Sequence, residues 1–184
     1  MRIAITGGIA SGKSTIMQML RERGISTLSA DAVAGDVLWN GDVQAQLMSF
    51  FSTDQEITPV VLKSLISQGD ESRRAINRIM HPAISEEIEM SSAVAVEVPL
   101  LFETCLHASF QSIWAAKCSP EIQLQRLHDR YGESANLERI SWQLDSKVAS
   151  SFADSIIQTD GSLQGTLETL LQEAKRWGIA IVDS

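Results

Sequence analysis

Cysteine is scarce in this chain of 184 residues, which carries only Cys105 and Cys118. Neither sits in a metal-ligand or dithiol-exchange spacing, so a zinc-ribbon or redox framework is excluded and two reduced thiols remain. Long apolar runs are missing as well. No stretch approaches the roughly 20 apolar residues of a membrane-spanning helix, and Gly7 and Gly8 interrupt the opening apolar run before a signal-peptide core could form. Together with the reduced thiols, this predicts a cytoplasmic protein with no membrane partner. Positive charge is also in short supply: 15 Lys and Arg stand against 23 Asp and Glu, a net charge of −8. A nucleic-acid binder needs a basic footprint for the phosphate backbone, so that class is excluded. A single nucleotide needs only a local positive patch and stays open. There is no internal repeat and no low-complexity tract. A chain of this length, 44% hydrophobic, is expected to form one domain with a sizeable core.

What is present is concentrated near the start. Gly7-Gly8-Ile9-Ala10-Ser11-Gly12-Lys13-Ser14-Thr15 carries the spacing G-x-x-x-x-G-K-[ST]. Apolar Ile3-Ala4-Ile5 precedes it, and Ile16, Met19 and Leu20 follow at helical spacing. Strand, glycine-rich turn and helix give the motif its physical meaning as a phosphate-binding loop. Gly7, Gly8 and Gly12 are expected to take positive φ, so that successive N–H groups face one concavity. The helix adds its N-terminal donors and the positive end of its dipole. Lys13 reaches the β- and γ-phosphates, and the Ser14 hydroxyl enters a magnesium shell. The predicted ligand is a nucleoside triphosphate, held by Gly8, Gly12, Lys13 and Ser14.

Further along, Gly24 is placed to stop the first helix, and a short strand is expected at Ser26-Thr27-Leu28. Asp31 follows, ahead of a helix carrying Val33, Val37 and Leu38, with a loop at Trp39-Asn40-Gly41-Asp42. Residues 43–91 read as consecutive helices, with His81-Pro82 marking a bend or a new helix that begins at Pro82. Strands are predicted at Ala93–Val98 and Phe110–Ala116. Ser119-Pro120-Glu121 then opens a helix with a cap, a first-position proline and an acid in the first turn. Residues 132–150 are polar and mostly helical. A strand at Ser155-Ile156-Ile157 leads into an amphipathic helix built on Leu163, Leu167, Leu170, Leu171 and Ala174. The tail from Ile179 to Val182 fits either an edge strand or a packed extension. Strands alternating with helices define an α/β fold with a parallel sheet covered on both faces. Ligands of such sheets bind at the carboxyl ends of the strands. The phosphate loop, Asp31, Glu97 and Asp160 all fall there.

Several residues have two readings. Asp31 serves either to take a proton from a substrate hydroxyl or hold magnesium, as aspartates do in phosphoryl transfer, or to cap the helix that follows. Glu97 is a carboxylate inside an apolar strand, where it needs a cation or a magnesium-bound water to offset its burial; the alternative is a strand that ends at Val96. Arg126, Arg130, Arg139 and Lys147 form the main downstream cluster of positive charge. It suits either the charge spread over a transferring phosphoryl group or a solvated helix face. The tryptophans, Trp39, Trp114, Trp142 and Trp177, are expected in the core.

Taken together these stretches resemble the dephospho-coenzyme A kinases. The resemblance is carried by Thr6–Thr15, Ser29-Ala30-Asp31, His81-Pro82 and Glu97-Val98-Pro99-Leu100-Leu101-Phe102-Glu103. It continues through Ser119-Pro120-Glu121 with Gln123, Arg126 and Arg130, then Arg139-Ile140 with Gln143, Ala153-Asp154 and Asp160–Leu163. It implies a phosphate-loop NTPase-type parallel sheet sandwiched by helices, with a core of 1–42, 92–125 and 151–184. A helical acceptor-binding insertion at 43–91 and a lid at 126–150 would complete it. The implied reaction is transfer of phosphate from ATP, with Mg2+, to the ribose 3′-hydroxyl of dephospho-CoA, by a monomer or small homo-oligomer. By position, Ala10, Ser11, Gly12, Lys13, Ser14 and Thr15 would hold the ATP phosphates, and Lys13, Asp31, Arg126, Arg130 and Arg139 would be catalytic. His81, Pro99, Leu100, Leu101 and Glu103 would serve the acceptor, and Ser14, Asp31 and Glu97 the metal.

The chain departs from the family pattern at several places. Ser29 stands where an aspartate is usual, and Gly35 where a basic residue is. Near Thr58-Pro59 an expected arginine is missing. Lys147 lies two residues before the usual lid lysine, at Ala149, and Gln158-Thr159 replaces an Asp-Asn pair expected near the adenine. These departures keep two other readings in view: a kinase of the same build with a different small hydroxylated acceptor, and a nucleotide-binding paralogue without turnover.

Overall fold

The computed structural model describes residues 1–132 and 150–182. The chain divides into two compact units, residues 1–28 with 93–184 and residues 29–92.

The first unit is built on a sheet. Its strands are β1 (Ile3–Thr6), β2 (Thr27–Ser29, which crosses the unit boundary), β3 (Ala95–Glu97), β4 (Ser112–Lys117) and β5 (Ser155–Gln158). Their order is β2-β3-β1-β4-β5, and β3, β1, β4 and β5 run parallel. Helices α1 (Lys13–Glu22), α6 (Pro120–Tyr131) and α7 (Leu163–Arg176) belong to the same unit. Strand residues alternate between faces. Ile3, Ile5, Ala95, Trp114, Ala116 and Ile157 share a core with Ile16 and Leu20 of α1 and Leu170 and Ala174 of α7. Ala4, Thr6, Val96 and Ala115, on the alternate positions, are buried too. Burial on both faces is why these strands read as short continuous apolar runs.

Local chemistry sets the helix ends. Gly24 takes φ 79°, and the N–H of Ile25 returns to the Leu20 carbonyl at 3.1 Å, closing α1 as the sequence predicts. Ser119 caps α6 by accepting from the Ile122 N–H, with Pro120 at the first turn. The tail is a packed extension: Ile179 and Ile181 lie against the core, and the Val182 N–H reaches the Arg23 carbonyl at 3.3 Å.

The second unit is helical. It contains α2 (Ala30–Val37), α3 (Gly41–Phe50), α4 (Pro59–Ile66) and α5 (Asp70–Met90). The three shorter helices pack against α5, whose Ile76, Met80, Ile84 and Ile88 recur every fourth residue along one face. Gln44 is buried here and fully occupied. Its amide nitrogen donates to the carbonyls of Leu38 (2.7 Å) and Ile57 (3.0 Å), and its oxygen accepts from the Ile57 N–H (3.0 Å). A satisfied buried amide of this kind fixes the path of the loop between α3 and α4.

Three expectations change. The helical unit begins at Ser29 rather than at residue 43, so it takes in α2 and Asp31. Pro82 does not start a helix but lies inside α5. A proline costs about 3 kcal/mol in a helix interior, and the buried stripe on both sides of Pro82 outweighs it, at about 1.5–3 kcal/mol per large apolar side chain. Trp39 is exposed, not core; Trp114 is fully buried and Trp177 partly so, and Trp142 lies outside the described residues. No helix among the described residues is long and apolar enough to cross a membrane.

Candidate functional site

The parallel arrangement brings the carboxyl ends of β1, β3, β4 and β5 to one edge of the first unit. After β1 comes the loop Gly7–Gly12; Glu97 ends β3, Cys118 follows β4, and Thr159 and Asp160 follow β5. Glu97 pairs in register with Ile5, so the strand does extend to it, two positions before Gly7. Its side chain is partly buried.

The loop has the backbone its composition requires, with one exchange. Gly7 takes φ 136° and Gly12 φ 95°. A Cβ on Gly7 would meet the Ala116 carbonyl oxygen at 2.4 Å, and one on Gly12 would meet Thr159 Cβ at 2.9 Å. Gly8 does not take positive φ; Ala10 does, at 58°. That conformation costs an L-residue roughly 1–2 kcal/mol, and the hydrogen bonds around the loop offset it. Gly12 stands at the N-cap of α1, and no side chain caps that helix. Lys13 is buried along its stem, and its ammonium donates to the carbonyls of Gly7 (2.9 Å) and Gly8 (3.0 Å). Ser11 Oγ is buried and, among the described residues, has no hydrogen-bond partner. A buried hydroxyl left unmatched is costly. An uncapped helix end, a lysine and an orphan hydroxyl in one loop are the donors that a phosphate group satisfies. Ser14 is exposed in the first turn of α1, and Thr15 follows it.

Two other elements hold the loop from outside. On α6, Gln123 donates to the Ile9 carbonyl (2.7 Å) and Arg126 to the Ala10 carbonyl (3.4 Å). Arg126 also donates to the hydroxyl (3.2 Å) and the carbonyl of Thr159. The Thr159 hydroxyl in turn donates to the Ser11 carbonyl at 2.7 Å. Asp160 accepts from the Ser119 N–H at 2.8 Å, joining the end of β5 to the start of α6. Burial, with Asp160 nearby, pushes the Cys118 thiol upward against the pull of Arg126. It is a neutral thiol beside the site rather than a nucleophile.

The remaining candidates are distributed as follows. Arg126 is therefore seated on the core through α6; Arg130 is exposed in the last turn of that helix. Arg139 and Lys147 lie outside the described residues. Pro99–Glu103 forms a turn after β3 in which Leu101 is buried while Leu100 and Glu103 are exposed. Asp31 and His81 belong to the helical unit. Asp31 is exposed in the first turn of α2, and it is not the cap: Ser29 is, accepting from the Ala32 N–H. Of the two roles weighed for Asp31, capping is thus taken by the residue where the family pattern has an aspartate. Thr159, read from sequence as a change near the adenine, is a buried link to the phosphate loop. Nothing local in Gln158-Thr159 signals this, because its partners are remote in sequence.

His81 is half-buried on α5, and burial lowers its pKa below the ordinary 6.5. Between those two values the unfolded chain binds a proton that the folded chain does not. Stability therefore falls as pH drops from 6.5 toward the folded value. We expect the melting temperature of the wild type to decline more steeply than that of His81→Gln between pH 7 and pH 5. Parallel profiles would show that His81 contributes nothing to acid sensitivity.

Among the described residues, no cluster of three or more His, Cys, Asp or Glu is arranged to hold a metal. Magnesium in phosphoryl transfer is bound largely by water and substrate phosphates with one or two protein groups, so the single hydroxyl of Ser14 and an isolated carboxylate suit it.

A parallel sheet with a G-x-x-x-x-G-K-[ST] loop between its central strand and first helix defines the phosphate-loop NTPase fold class. Shikimate kinase from Acinetobacter baumannii shares this fold, at a TM-score of 0.59 and 12% identity over 97% of this chain and 95% of that one. The sequence profile of the dephospho-CoA kinase family matches residues 1–165, and this chain belongs to that family. A dephospho-CoA kinase from Bacillus cereus is 34% identical over 96% of this chain and 97% of its own length. One from Halalkalibacterium halodurans is 31% identical over 97% and 98%. A crystal structure from Thermus thermophilus superposes with a TM-score of 0.80 at 26% identity, covering 96% of this chain and 97% of that one.

Proposed function

We propose that this chain transfers the γ-phosphoryl group of ATP to the ribose 3′-hydroxyl of dephospho-CoA, giving coenzyme A and ADP. What supports the reading is a glycine-rich loop with Lys13 folded over it and a buried, unpartnered Ser11 hydroxyl, in a chain matched by the family over residues 1–165. Ser11, Gly12, Lys13, Ser14 and Thr15 hold the triphosphate, with Gly8 and Ala10 shaping the loop around it. Asp31 takes the proton of the 3′-hydroxyl as its oxygen forms the new bond to the γ-phosphorus and the bond to the β-phosphate oxygen breaks. His81 and the turn containing Pro99, Leu100, Leu101 and Glu103 receive the acceptor. Arg130, with Arg139 beyond it, supplies positive charge to the transferring group. Ser14, Asp31 and Glu97 would hold magnesium, directly or through its waters, and the ion would offset phosphate charge.

A coupled ADP-release assay tests this directly. ADP should appear only when dephospho-CoA is added, at about 1–10³ per second, the usual range for enzymes. A panel including adenosine, shikimate and gluconate should stay at background. Turnover with one of those acceptors and none with dephospho-CoA would replace the reading; no turnover with any, alongside tight ATP binding, would leave a nucleotide-binding paralogue.

A further inference from the structure

Three successive carbonyls of the phosphate loop are each taken by a different side chain from outside it. Gln123 binds that of Ile9, Arg126 that of Ala10, and Thr159 that of Ser11. We infer that these residues form a brace that positions the loop for ATP, with Thr159 as its central member; the inference rests on the loop being the ATP phosphate site.

Peptide geometry gives the reason. In a trans peptide the C=O and the following N–H point in opposite directions. Drawing the carbonyls of residues 9, 10 and 11 outward therefore turns the N–H groups of residues 10, 11 and 12 the other way. The Ser11 N–H reaches back to the Gly8 carbonyl at 3.1 Å, closing the loop on itself. The same geometry turns the Gly12 N–H, at the start of α1, away from the Thr159 hydroxyl. A phosphate-binding loop works only if its donors are oriented before the ligand arrives, since ordering them afterwards subtracts from affinity.

Thr159 occupies the centre for chemical reasons. A threonine hydroxyl has one donor and two acceptor sites. Here the proton goes to the Ser11 carbonyl, with the Lys117 carbonyl 3.2 Å away, and the oxygen accepts from Arg126. The residue is only 4% exposed, so water has little access to those partners. Its carbon atoms meanwhile fill the space beside Gly12. The guanidinium of Arg126 is planar and rigid, and it binds the hydroxyl and the backbone carbonyl of the same threonine. Arg126 thus acts through the loop, as a positioning residue, rather than as a mobile charge that arrives with a lid.

Thr159→Val keeps the shape beside Gly12 and removes the hydroxyl. The expected result is a KM for ATP, and a calorimetric Kd for ATP, raised about tenfold by the loss of a buried hydrogen-bonded link. KM for dephospho-CoA and kcat should stay within about threefold, and Thr159→Ser should restore the wild-type values. Arg126→Lys removes the fork and should raise the same constants. Because both act through one link, the double variant should be well short of the product of the two single effects. Wild-type affinity for ATP in Thr159→Val, or single effects that multiply in full, would overturn the brace. If Thr159→Val does not fold, Gln123→Met, which releases only the Ile9 carbonyl, replaces it with the same two readouts. The calorimetric arm needs no acceptor. A wild type that binds ATP but leaves dephospho-CoA untouched would therefore refute the proposed reaction while the brace was still being judged on nucleotide binding alone.

Discussion

Lys13→Met should lower kcat by about 10²–10³-fold, the scale of losing one preorganised charged donor to a developing oxyanion, with little change in melting temperature. The lysine stem is buried and its ammonium is held within 3.0 Å of the Gly7 and Gly8 carbonyls. Methionine fills the same volume with an unbranched apolar chain, so packing beneath the loop survives. What disappears is the positive charge proposed to serve the β- and γ-phosphates. The measurement is steady-state ADP release at saturating substrates, with thermal unfolding as the control. A kcat within threefold of wild type would show that the lysine serves only to close the loop. Lys13→Arg should recover little of the loss, because its planar fork does not reproduce a compact ammonium on a flexible stem.

Asp31→Asn should reduce kcat by about 10²–10⁴-fold, the range for removing a general acid–base group, while the calorimetric Kd for ATP changes by less than about threefold. The substitution is nearly isosteric. Asp31 is exposed and Ser29 already caps α2, so the structural cost is confined to a carboxylate in the first turn of a helix, about 0.3–1 kcal/mol. These magnitudes separate the two roles. A residue favoured only by the helix dipole loses a degree or two of melting temperature and keeps its turnover; a proton acceptor does the reverse. Unimpaired turnover in Asp31→Asn would remove Asp31 from the chemistry and direct attention to Glu97, which ends β3 beside the phosphate-loop strand.

The departures from the family pattern have unequal weight. Ser29 in place of an aspartate still serves a local need, as the cap of α2. Threonine at position 159 retains a donor and an acceptor at a point where both are used. Gly35 is exposed, and a Cβ there would meet nothing. A basic side chain could be accommodated without cost, so packing does not account for the glycine. Restoring a lysine at Gly35 and following KM for dephospho-CoA would show whether acceptor affinity was relinquished at that position.

Features determined by contiguous residues were legible from the chain alone. The phosphate loop reads from its own spacing, because the glycines, the lysine and the helix start act on one ligand within nine residues. The positions of β1 and β3 read from short apolar runs, buried on both faces in β1 and nearly so in β3, while β5 alternates buried Ser155 and Ile157 with exposed Ile156 and Gln158. Gly24, Ser119 and Pro120 announced helix ends through local hydrogen bonding. The Ala10 conformation did not read, because nothing in an alanine signals positive φ. Pro82 within α5 was misplaced for the opposite reason: its local preference is real, but the packed stripe of Ile76, Met80, Ile84 and Ile88 overrides it.

The brace belongs wholly to tertiary structure. Thr159 lies 148 residues from Ser11 and 33 from Arg126, and no periodicity or motif links them. They meet because parallel strands deliver their carboxyl ends to the same edge of a sheet. The sequence by itself determined the phosphate-loop motif and the family to which this chain belongs. Only the packing of β5 and α6 against the loop decided which side chains hold that loop in the shape a phosphate needs, because a carbonyl is oriented by whatever partner the fold places beside it.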